Sequence, residues 1–485
     1  MTQQILSKSK YLIGLQCLEY LWTVFHEPSK IPKPTRTDEH KFEQGSSVGE
    51  YAKKLFPQGI DIPCDDFKTN LSKTSELLLK RKPLFEPGFL IDNLFSRGDI
   101  LVPVGTDKWD IVEVKSSTKV KNVNIEDVSF QKYVYERAGL KIRKCFLMHI
   151  NNEYIKNGKL DVEKLFVKED ITKEVEEAIK DIDKRILPMF EVIMNKEKPS
   201  VEISHDCGKP YDCPLKDFCY DFEHDIFSLY RGGKKSYGLY DSGVNFIKDI
   251  PADFKLNAKQ KVQLECLKNK KTYVHKEAIK HFLNVLVKPL YFLDFETFST
   301  AIPIFDGTKP YQQVPFQFSL HIKEGTKLKH ESFLASGSDD PRKKFLLALK
   351  ETLGDSGSII VYNQSFEKKI LKQLVEESPK YEKWVQSILD RIVDLWDIFR
   401  NFYYYDSKQC GSASIKYVLP ALTGKSYKGM EIGDGQTASL EFLDIIRKKK
   451  NEKEAEKTRK NLEKYCELDT KGMVWVLEKL EGVVK

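Results

Sequence analysis

Short apolar runs in the C-terminal half of the chain alternate with segments of helical spacing. Leu290-Tyr291-Phe292-Leu293 is an apolar run of the kind that forms a buried strand. Residues 358–362 repeat this pattern, and the positions between Phe366 and Leu374 then follow a helical period. Because alternating strands and helices are typical of α/β folds, the pattern predicts an α/β domain over residues 286–485.

The N-terminal half contains two strand-like runs, residues 98–102 and 109–114, with Gly105-Thr106-Asp107 between them. Glycine and aspartate favour tight turns, so these segments predict a β-hairpin. Helical patterns surround the hairpin, and residues 225–285 show helix-like apolar spacing. The predicted organisation is an N-terminal domain at 1–224, a helical connector at 225–285 and a C-terminal domain at 286–485.

The chain is 485 residues long, which exceeds what one hydrophobic core normally fills and fits two or three domains. Its formal net charge of +7 is too small for this length to indicate a polyanionic partner by itself. No stretch reaches the roughly 18 apolar residues of a membrane span, and the N-terminus lacks the apolar segment of a secretory signal. We therefore expect a cytoplasmic protein that does not enter the membrane.

Acidic residues recur at three places in the C-terminal domain. Asp294 and Glu296 stand two apart on the predicted buried strand, so the strand period places both on one face. Buried carboxylates repel each other and lose hydration, and divalent cations relieve both penalties. Glu367 follows a strand and Asp469 lies in a late helix, so four carboxylates can hold two metal ions. Tyr465 is four residues before Asp469, on the same helix face, and can orient a water beside the metal.

In this order, the motifs resemble the DEDD superfamily of RNase H-like 3′-to-5′ exonucleases. The similarity rests on Asp-x-Glu in the first strand, the acid after Asn-x-x-Phe, and the late Tyr-x-x-x-Asp that marks the tyrosine subclass. The resemblance implies that Tyr465 positions the attacking water. It also implies a site for two Mg²⁺ or Mn²⁺ ions whose ligands are Asp294, Glu296, Glu367 and Asp469. The second acid of the family is usually aspartate, so Glu367 departs from the pattern by one methylene.

The predicted hairpin of the N-terminal domain also carries acids. Asp99 opens one strand and Glu113 lies near the end of the next, so the hairpin brings them together. Lys115 falls on the same strand face as Glu113, where its ammonium can position or help to deprotonate a water that attacks phosphate. Gln131 and Tyr135 are four residues apart and share a face if their segment is a helix. The group fits metal-dependent phosphodiester hydrolysis.

These residues resemble the PD-(D/E)xK nucleases, and specifically their RecB-like branch. In that branch a Gln-x-x-x-Tyr helix follows the Glu-x-Lys strand and contacts the substrate or supports the site. The resemblance implies that Asp99 and Glu113 bind a divalent metal, Mg²⁺ or Mn²⁺. It implies catalytic or supporting roles for Lys115, Gln131 and Tyr135.

One element departs from the RecB-like pattern. The branch usually supplies a histidine after a Gly-x-x-x pattern as a further metal ligand, whereas here that place falls on Gly49. The next residue, Glu50, offers a carboxylate. We therefore predict Glu50 as the substitute ligand.

Three of the nine cysteines follow one another at Cys207, Cys213 and Cys219, with five residues between neighbours. Such clustering in a large cytoplasmic chain indicates a metal site rather than disulfides. A tetrahedral zinc or a cubane cluster needs a fourth thiolate, and Cys17 is the best candidate. The remaining cysteines are predicted to be packed thiols: Cys64, Cys145, Cys266, Cys410 and Cys466.

A distant first cysteine with three more near the end of the domain resembles the iron–sulfur RecB-like nucleases. These include the AddB-type and the CRISPR-associated adaptation nucleases, in which the cluster clamps the two ends of the nuclease domain together. The resemblance implies a [4Fe-4S] cluster bound by the four cysteines. Zn²⁺ is the alternative, because thiolate quartets accept either.

Together, the motifs predict a fusion of an iron–sulfur PD-(D/E)xK nuclease domain with an RNase H-like exonuclease domain, and the arrangement resembles an uncharacterised prokaryotic family of such fusions. We expect a metal-dependent nuclease with two active sites and nucleic acid as its partner. DNA is expected ahead of RNA, because the iron–sulfur relatives act on DNA in repair or defence. Two alternatives stay open: an RNA-processing 3′-to-5′ exonuclease, and a catalytically decayed nucleic-acid-binding scaffold.

Overall fold

The computed structural model describes residues 4–220, 225–337 and 339–485. The chain forms two compact units, of which the first comprises Met1–Cys219 and Thr300–Gln312 and the second Tyr220–Ser299 and Gln313–Lys485. Helices and strands are mixed in both units, which confirms the predicted α/β class. The predicted domain boundary at residue 224 lies outside the described residues.

In its described part, the first unit has nine strands and nine α-helices. The strands are β1 (Leu6–Ser7), β2 (Ile60–Asp61), β3 (Leu84–Phe85), β4 (Gly88–Ile91), β5 (Leu94–Arg97), β6 (Ile100–Val104), β7 (Lys108–Lys115), β8 (Lys141–Ile150) and β9 (Phe166–Asp170). The helices are α1 (Lys8–Gln16), α2 (Leu18–His26), α3 (Arg36–Lys53), α4 (Phe67–Leu78), α5 (Asn122–Arg137), α6 (Val162–Leu165), α7 (Thr172–Ile179), α8 (Ile182–Met194) and α9 (Lys216–Cys219).

A six-stranded sheet with the order β2-β3-β6-β7-β8-β9 forms the centre of the first unit. β6 and β7 are antiparallel, with Ile100 opposite Val112, which confirms the predicted hairpin. β8 runs parallel to β7, and α5 is the crossover between them. Side chains pack on both faces of the sheet, since Leu101 and Ile111 belong to one apolar core and Ile100 and Val112 to another.

The segment Thr300–Gln312 is distant in sequence from the rest of the first unit but folds as part of it. Ala301 and Tyr311 pack in the core that contains Ile100, and the Ala301 backbone N–H donates a hydrogen bond to Gln44 Oε1 at 2.8 Å. The Tyr311 hydroxyl donates to the backbone carbonyl directly after β7. This segment follows β11 in the chain, so no local pattern predicts where it packs.

The second unit has seven strands and ten α-helices in its described part. The strands are β10 (Tyr273–Val274), β11 (Leu290–Phe298), β12 (Val314–Glu324), β13 (Lys327–Leu334), β14 (Ile359–Val361), β15 (Ile392–Asp394) and β16 (Tyr404–Tyr405). The helices are α10 (Lys234–Asp241), α11 (Ala258–Asn269), α12 (Lys276–Asn284), α13 (Arg342–Thr352), α14 (Gln364–Glu377), α15 (Glu382–Arg391), α16 (Trp396–Arg400), α17 (Ile415–Thr423), α18 (Gly435–Ile446) and α19 (Glu452–Val484). Across the described ranges of both units, no helix combines the length and apolar character needed to cross a membrane.

Five strands of the second unit form a mixed sheet in the order β13-β12-β11-β14-β15. The middle strand, β11, is antiparallel to β12 and parallel to β14, and α19 packs against β11 and β12. Phe295 on β11 meets Phe345 on α13 edge to face, with ring centroids 5.1 Å apart. The strand and helix predicted between residues 358 and 374 are confirmed by β14 and α14.

Residues 225–285, predicted as a helical connector, contain α10, α11 and α12 and belong to the second unit. Ile226 and Leu239 contribute to a small apolar core within this segment. β10 pairs antiparallel with β16, with Tyr273 opposite Tyr405. The segment is therefore attached to the rest of its unit by strand pairing as well as by chain continuity.

Candidate active sites

Asp294 and Glu296 lie on β11, in the middle of the sheet of the second unit. The ligand atoms of Asp294, Glu296 and Cys466 all lie within 4.8 Å of one another, whereas Phe295 packs into the apolar core. The strand therefore places the two acids on one face, as its period of two predicts. The pairing of β11 with β12 shifts register between Glu296 and Thr297, and such irregularities are common beside active sites.

Glu367 and Asp469 bring two further carboxylates to this place. Glu367 lies in the first turn of α14 and Asp469 on α19, and the two residues are 1% and 7% exposed. Asp469, Glu296 and Glu367 each raise the pKa of Asp294 by charge repulsion, so the four acids interact. Glu367 Oε2 is buried and has no hydrogen-bond partner in the described part of the chain. These four residues, Asp294, Glu296, Glu367 and Asp469, are called the acid cluster below.

Positive charge around the acid cluster only partly balances it. Burial, followed by repulsion from the other acids, raises the pKa values of Asp294 and Glu296 well above their usual range. Burial also raises the pKa of Asp469 to about 6. Lys416 on α17 offsets part of this, since it lowers the pKa values of Glu296 and Asp469. Divalent cations, which prefer carboxylate oxygens, would relieve the remaining repulsion.

Tyr465 lies one helical turn before Asp469, as the spacing predicts. Burial, followed by repulsion from Asp469 and Glu296, raises the pKa of Tyr465, so its hydroxyl remains a hydrogen-bond donor. A second tyrosine, Tyr427, donates to Asp469 Oδ1 at 2.5 Å. Lys416 Nζ stands 5.7 and 5.6 Å from the ring centroids of Tyr427 and Tyr465. Tyr427 and Lys416 were not predicted, because neither belongs to a motif and only the fold brings them to α19.

Cys466 is buried, as a packed thiol should be, but it also contacts the acid cluster. Its Sγ lies 3.8 Å from Asp294 Oδ2 and 4.0 Å from the Asp294 backbone oxygen. Cys466 precedes Asp469 by three residues on α19, and residues three apart share a helix face. The spacing of Cys466 and Asp469 in the sequence could therefore have predicted that Cys466 lies beside the acids.

Asp394, at the end of β15, fixes the N-terminus of α14 and so the position of Glu367. Its carboxylate accepts hydrogen bonds from the backbone N–H groups of Asn363 at 2.9 Å and Gln364 at 3.1 Å. It also accepts one from the backbone N–H of Trp396 at 3.1 Å. With these three donors, the Asp394 carboxylate acts as a structural cap rather than as a ligand.

We expect the metal-free protein to lose stability as the pH rises, because of Glu367. Burial raises its pKa to about 8, compared with about 4.3 in an unfolded chain. A carboxyl group with a raised folded-state pKa contributes stability that is fully present below the unfolded pKa and is lost as the pH rises through about 8. The loss is on the order of 4 kcal/mol. Thermal unfolding in the presence of a chelator, from about pH 5 to about pH 9, measures it.

The matched variants are Glu367→Gln and Glu376→Gln, which changes an exposed glutamate on the same helix. Glu367→Gln should reduce the loss of stability with pH, and Glu376→Gln should leave it unchanged. Saturating Mn²⁺ should reduce it as well, because a bound cation stabilises the charged carboxylate. Equal pH dependence in the wild type and in Glu367→Gln would contradict the prediction.

In the first unit, the hairpin brings Asp99 and Glu113 together. Asp99 directly precedes β6, and Ile100 pairs with Val112, so Asp99 stands opposite Glu113. The Val114 backbone N–H donates to Asp99 Oδ2 at 2.6 Å. Burial, followed by repulsion from Glu113, raises the pKa of Asp99 to about 7. The two predicted ligands are therefore adjacent acids, of which Glu113 is buried and Asp99 half-buried.

Two lysines hold Glu113, although only Lys115 was predicted. Lys115 Nζ donates to Glu113 Oε1 at 2.6 Å, and Lys8 Nζ donates to the same oxygen at 2.8 Å. Burial raises the pKa of Glu113, but Lys115 and Lys8 outweigh it, and the net effect is a pKa below the usual range. Asp127 on α5 pairs with both lysines, at 2.6 Å from Lys115 and 3.2 Å from Lys8. These four residues are called the lysine–acid group below.

Gln131 and Tyr135 lie on α5 and face this site, as their spacing predicts. Gln131 Nε2 donates to Glu113 Oε2 at 2.5 Å, and the Tyr135 hydroxyl donates to the Pro87 carbonyl at 2.9 Å. A Cβ atom at Gly98 would lie 2.6 Å from Gln131 Oε1 and 2.7 Å from the Tyr135 hydroxyl. The close approach of α5 to the strand that leads into Asp99 therefore requires glycine at position 98.

The structure does not bring Glu50 to this group. Glu50 lies on α3 with its side chain 68% exposed, and its ion-pair partner is Lys53 at 2.7 Å. A different carboxylate, Glu86, does interact electrostatically with Glu113. Burial raises the pKa of Glu86, and Arg97, whose Nε lies 3.1 Å from Glu86 Oε2, lowers it in part. No motif marked Glu86 in the sequence.

The four predicted cluster cysteines gather in the first unit. Cys17 follows α1 and caps the start of α2. Cys207 lies in a short 3-10 helix (His205–Gly208), Cys213 in the loop after it and Cys219 at the end of α9. Burial, followed by repulsion from the other three thiols, raises the pKa of Cys213 to about 11. This mutual influence shows that Cys17, Cys207, Cys213 and Cys219 are close in space.

Gln16 ties the cysteine-bearing loop to α1. Its Nε2 donates to the backbone carbonyls of Asp206 at 3.1 Å and Tyr211 at 2.7 Å. The Cys213 backbone N–H donates to the Cys207 carbonyl at 2.8 Å. Within the described ranges, no three of the four cysteine sulfur atoms lie within 4.8 Å of one another. The loop and α1 therefore hold the four thiols in one region of the first unit.

A family model described as a domain of unknown function, DUF2779, matches residues 291–414, about a quarter of the chain. The uncharacterized MG366 homolog of Mycoplasma pneumoniae is 31% identical over 213 residues, which cover 39% of this chain and 31% of that protein. MG366 of Mycoplasma genitalium, also uncharacterized, is 28% identical over 242 residues, 46% of this chain and 36% of its own. The uncharacterized protein UU173 of Ureaplasma parvum is 28% identical over 238 residues, 43% and 33% of the two chains. The chain spans about a third of the length of these relatives.

Proposed function

We propose that the chain is a metal-dependent nuclease that hydrolyses phosphodiester bonds at two centres, one in each unit. The acid cluster carries this proposal, because four carboxylates from three different elements meet there, three of them buried and Asp294 half-buried. Glu367 Oε2 also lacks a partner in the described part of the chain. Buried charges of one sign destabilise a fold unless a cation balances them. The cluster lowers the stability of the metal-free protein, and binding of divalent cations best explains why it is kept.

For the second unit we propose the RNase H-like fold of the DEDD exonucleases, with cleavage from the 3′ end. A mixed sheet with Asp294 and Glu296 on its middle strand supports this assignment, as do Tyr465 and Asp469 on the final helix. Two Mg²⁺ or Mn²⁺ ions, when bound, would activate water and stabilise the leaving oxygen. The protonated Tyr465 hydroxyl would hold that water beside Asp469 for attack on phosphorus.

For the first unit we propose a PD-(D/E)xK nuclease centre of the RecB-like branch. Asp99 and Glu113 would hold the divalent cation, since they are adjacent across the hairpin and Glu113 is buried. Lys115, 2.6 Å from Glu113, would position the attacking water and stabilise developing negative charge. Gln131 would fix the orientation of Glu113 through its hydrogen bond to Oε2.

We further propose that the four cysteines bind a [4Fe-4S] cluster. A tetrahedral zinc with bonds of about 2.3 Å needs sulfur atoms about 3.8 Å apart. A [4Fe-4S] cubane holds its four thiolates farther apart, and the iron–sulfur RecB-like nucleases that the first unit resembles carry this cluster. The cluster would join Cys17 at the end of α1 to the loop at residues 207–219 and so clamp the two ends of the N-terminal segment together.

DNA is the proposed substrate, because the iron–sulfur RecB-like nucleases that the first unit resembles act on DNA. The test is cleavage of end-labelled single- and double-stranded DNA and RNA by anaerobically purified protein with Mn²⁺. Lys115→Met removes the ammonium of the first centre and Asp294→Asn a ligand of the second. Lys119→Met, which changes an exposed lysine just after β7, is the matched control.

If both centres work, the two variants should lose different activities, and Lys119→Met should keep both. Loss in only one variant would assign the activity to that centre. Preferential cleavage of RNA would replace DNA as the substrate and favour the RNA-processing alternative. No cleavage of any substrate by the wild type would overturn the enzymatic proposal and leave the nucleic-acid-binding scaffold.

A further inference from the structure

Lys8 is the first residue of α1 and lies far in sequence from the nuclease motifs, yet it reaches into the first centre. Its Nζ lies 2.8 Å from Glu113 Oε1 and 3.2 Å from Asp127 Oδ1. Its side chain is 19% exposed. This ammonium group lies between two buried carboxylates and is still reachable from solvent. It is therefore part of the first centre and not a surface ion pair.

Lys8 and Lys115 share the same two partners, but the chain holds them differently. Lys115 projects from β7, two residues after Glu113, and its backbone is held in the sheet by the parallel pairing of β7 with β8. Lys8 projects from the start of a helix that follows β1, a two-residue strand paired with β5. Rotation about its four side-chain bonds can move the Lys8 ammonium without moving either carboxylate.

The ammonium of Lys8 stands where a divalent cation would compete with it. Glu113 Oε1 accepts both lysines, and Glu113 Oε2 accepts Gln131, so both oxygens of the predicted ligand are engaged. Each carboxylate oxygen offers two lone pairs, so Oε1 is fully engaged, and a cation that binds Glu113 through Oε1 must displace one of the two lysines. Lys115 keeps Asp127 at 2.6 Å, whereas Lys8 is the weaker partner of Asp127 at 3.2 Å. Lys8 is the donor that moves most readily.

The two centres differ in built-in positive charge. In the lysine–acid group, two ammoniums face two carboxylates. In the acid cluster, Lys416 acts on Glu296 and Asp469 without an ion pair to any of the four acids in the described part of the chain. The first centre therefore holds Glu113 and Asp127 neutralised before any metal arrives.

We propose that Lys8 is a second catalytic lysine of the first centre, which holds Glu113 until a divalent cation takes that carboxylate and then binds the substrate phosphate with the released ammonium. The inference rests on the proposed nuclease function of this centre. It assigns to Lys8 both a competing role toward the metal and a binding role toward the non-bridging phosphate oxygens, which an ammonium recognises by charge and hydrogen bonding.

The test measures Mn²⁺ binding and DNA cleavage in the full-length, cluster-loaded protein. Lys8→Met removes the charge with little change in volume, and Lys8→Gln is a second variant in case the first folds poorly. Lys10→Met, on the same helix but with its Nζ 4.0 Å from the centre of the Phe25 ring, is the matched control. The Mn²⁺ site of the first centre is the one that Asp99→Asn abolishes.

Both Lys8 variants should bind Mn²⁺ at the Asp99-dependent site at least about tenfold more tightly, because a competing charge is gone. Cleavage by the first centre should nevertheless fall by about a hundredfold or more, with a weaker dependence of binding on salt. Lys10→Met should match the wild type in both measurements. Tighter metal binding together with slower cleavage is a combination that a purely structural lysine would not produce.

Unchanged or weaker Mn²⁺ affinity in both Lys8 variants would overturn the inference. Tighter affinity with unchanged cleavage would overturn the assignment of the phosphate to Lys8. If neither the wild type nor the Lys8 variants had an Asp99-dependent Mn²⁺ site, the proposed nuclease centre itself would be wrong. The metal titration thus separates failure of the inference from failure of the proposed function.

Discussion

Asp294→Asn should lower the proposed exonuclease cleavage by the second unit by about a thousandfold, since it removes a carboxylate from the centre of the acid cluster. Asp294 interacts with the three other acids and lies on the middle strand of the sheet, so its loss removes the carboxylate that all the others face. The measurement is the rate of nucleotide release from a 3′-labelled strand with saturating Mn²⁺. Cleavage that depends on Lys115 should be unaffected.

The same substitution should stabilise the metal-free protein. Burial and repulsion raise the pKa of Asp294 well above its usual range, so the charged carboxylate is unfavourable where it stands. An amide of the same size removes that repulsion, and the unfolding midpoint in chelator should rise by about 3 °C or more. Activity and stability should therefore change in opposite directions, as expected where a site is kept for function.

Asp390→Asn is the control, because Asp390 lies on α15 in the same unit and its partner is Gln386, 2.7 Å away. Asp390→Asn should match the wild type in the rate of nucleotide release and in the gain in stability on adding Mn²⁺. A large loss of stability in Asp294→Asn would instead assign Asp294 a structural role. Exonuclease activity close to that of the wild type would remove Asp294 from the proposed metal site.

The parts of the candidate sites that sequence could predict are those in which local periodicity decides the geometry. Asp294 and Glu296 share a face because a strand has a period of two, and Asp99 meets Glu113 because a hairpin fixes its own register. Tyr465 follows from the helical period in the same way. Each prediction needed only one element or one tight turn.

One residue of the lysine–acid group had a local signal that passed unnoticed. Asp127 precedes Gln131 by four residues and Tyr135 by eight, so all three share the face of α5 that contacts the site. The spacing of these three residues therefore predicts a continuous polar stripe on α5. Its acid was missed because the motif from which Gln131 and Tyr135 were predicted begins at Gln131.

Other contacts depend on tertiary packing and leave no local trace. Lys8 reaches Glu113 across 105 positions of sequence, and Tyr427 reaches Asp469 across 42. Glu50 shows the reverse error, a residue that was predicted but does not reach the site. The prediction rested on its place next to a motif position, whereas α3 leaves its side chain exposed. Residues brought in by packing can be recognised only once the elements that carry them have been placed.

Cys213→Ser should remove the proposed iron–sulfur cluster and destabilise the first unit. Cys213 is buried, 7% exposed, and interacts with the other three thiols. A serine hydroxyl is a poor ligand for iron, so anaerobically purified variant protein should lack the iron, the acid-labile sulfide and the visible absorption expected of the wild type. Because metal binding contributes directly to folding, the first unit should unfold about 10 °C or more lower.

Cys64→Ser is the matched control, since Cys64 is an exposed thiol of the same unit, and it should retain the metal and the unfolding midpoint. Unfolding of the second unit should be unchanged in both variants, which separates loss of the cluster from general damage. If the wild type contained zinc in place of iron, and Cys213→Ser lost that zinc, the four cysteines would still be a metal site, but for zinc. A wild type without iron or zinc, whose stability equals that of Cys213→Ser, would show that the four thiols gather without binding a metal.

Because α1 runs from Lys8 to Gln16 and Cys17 follows it directly, loss of the cluster should also lower cleavage at the first centre.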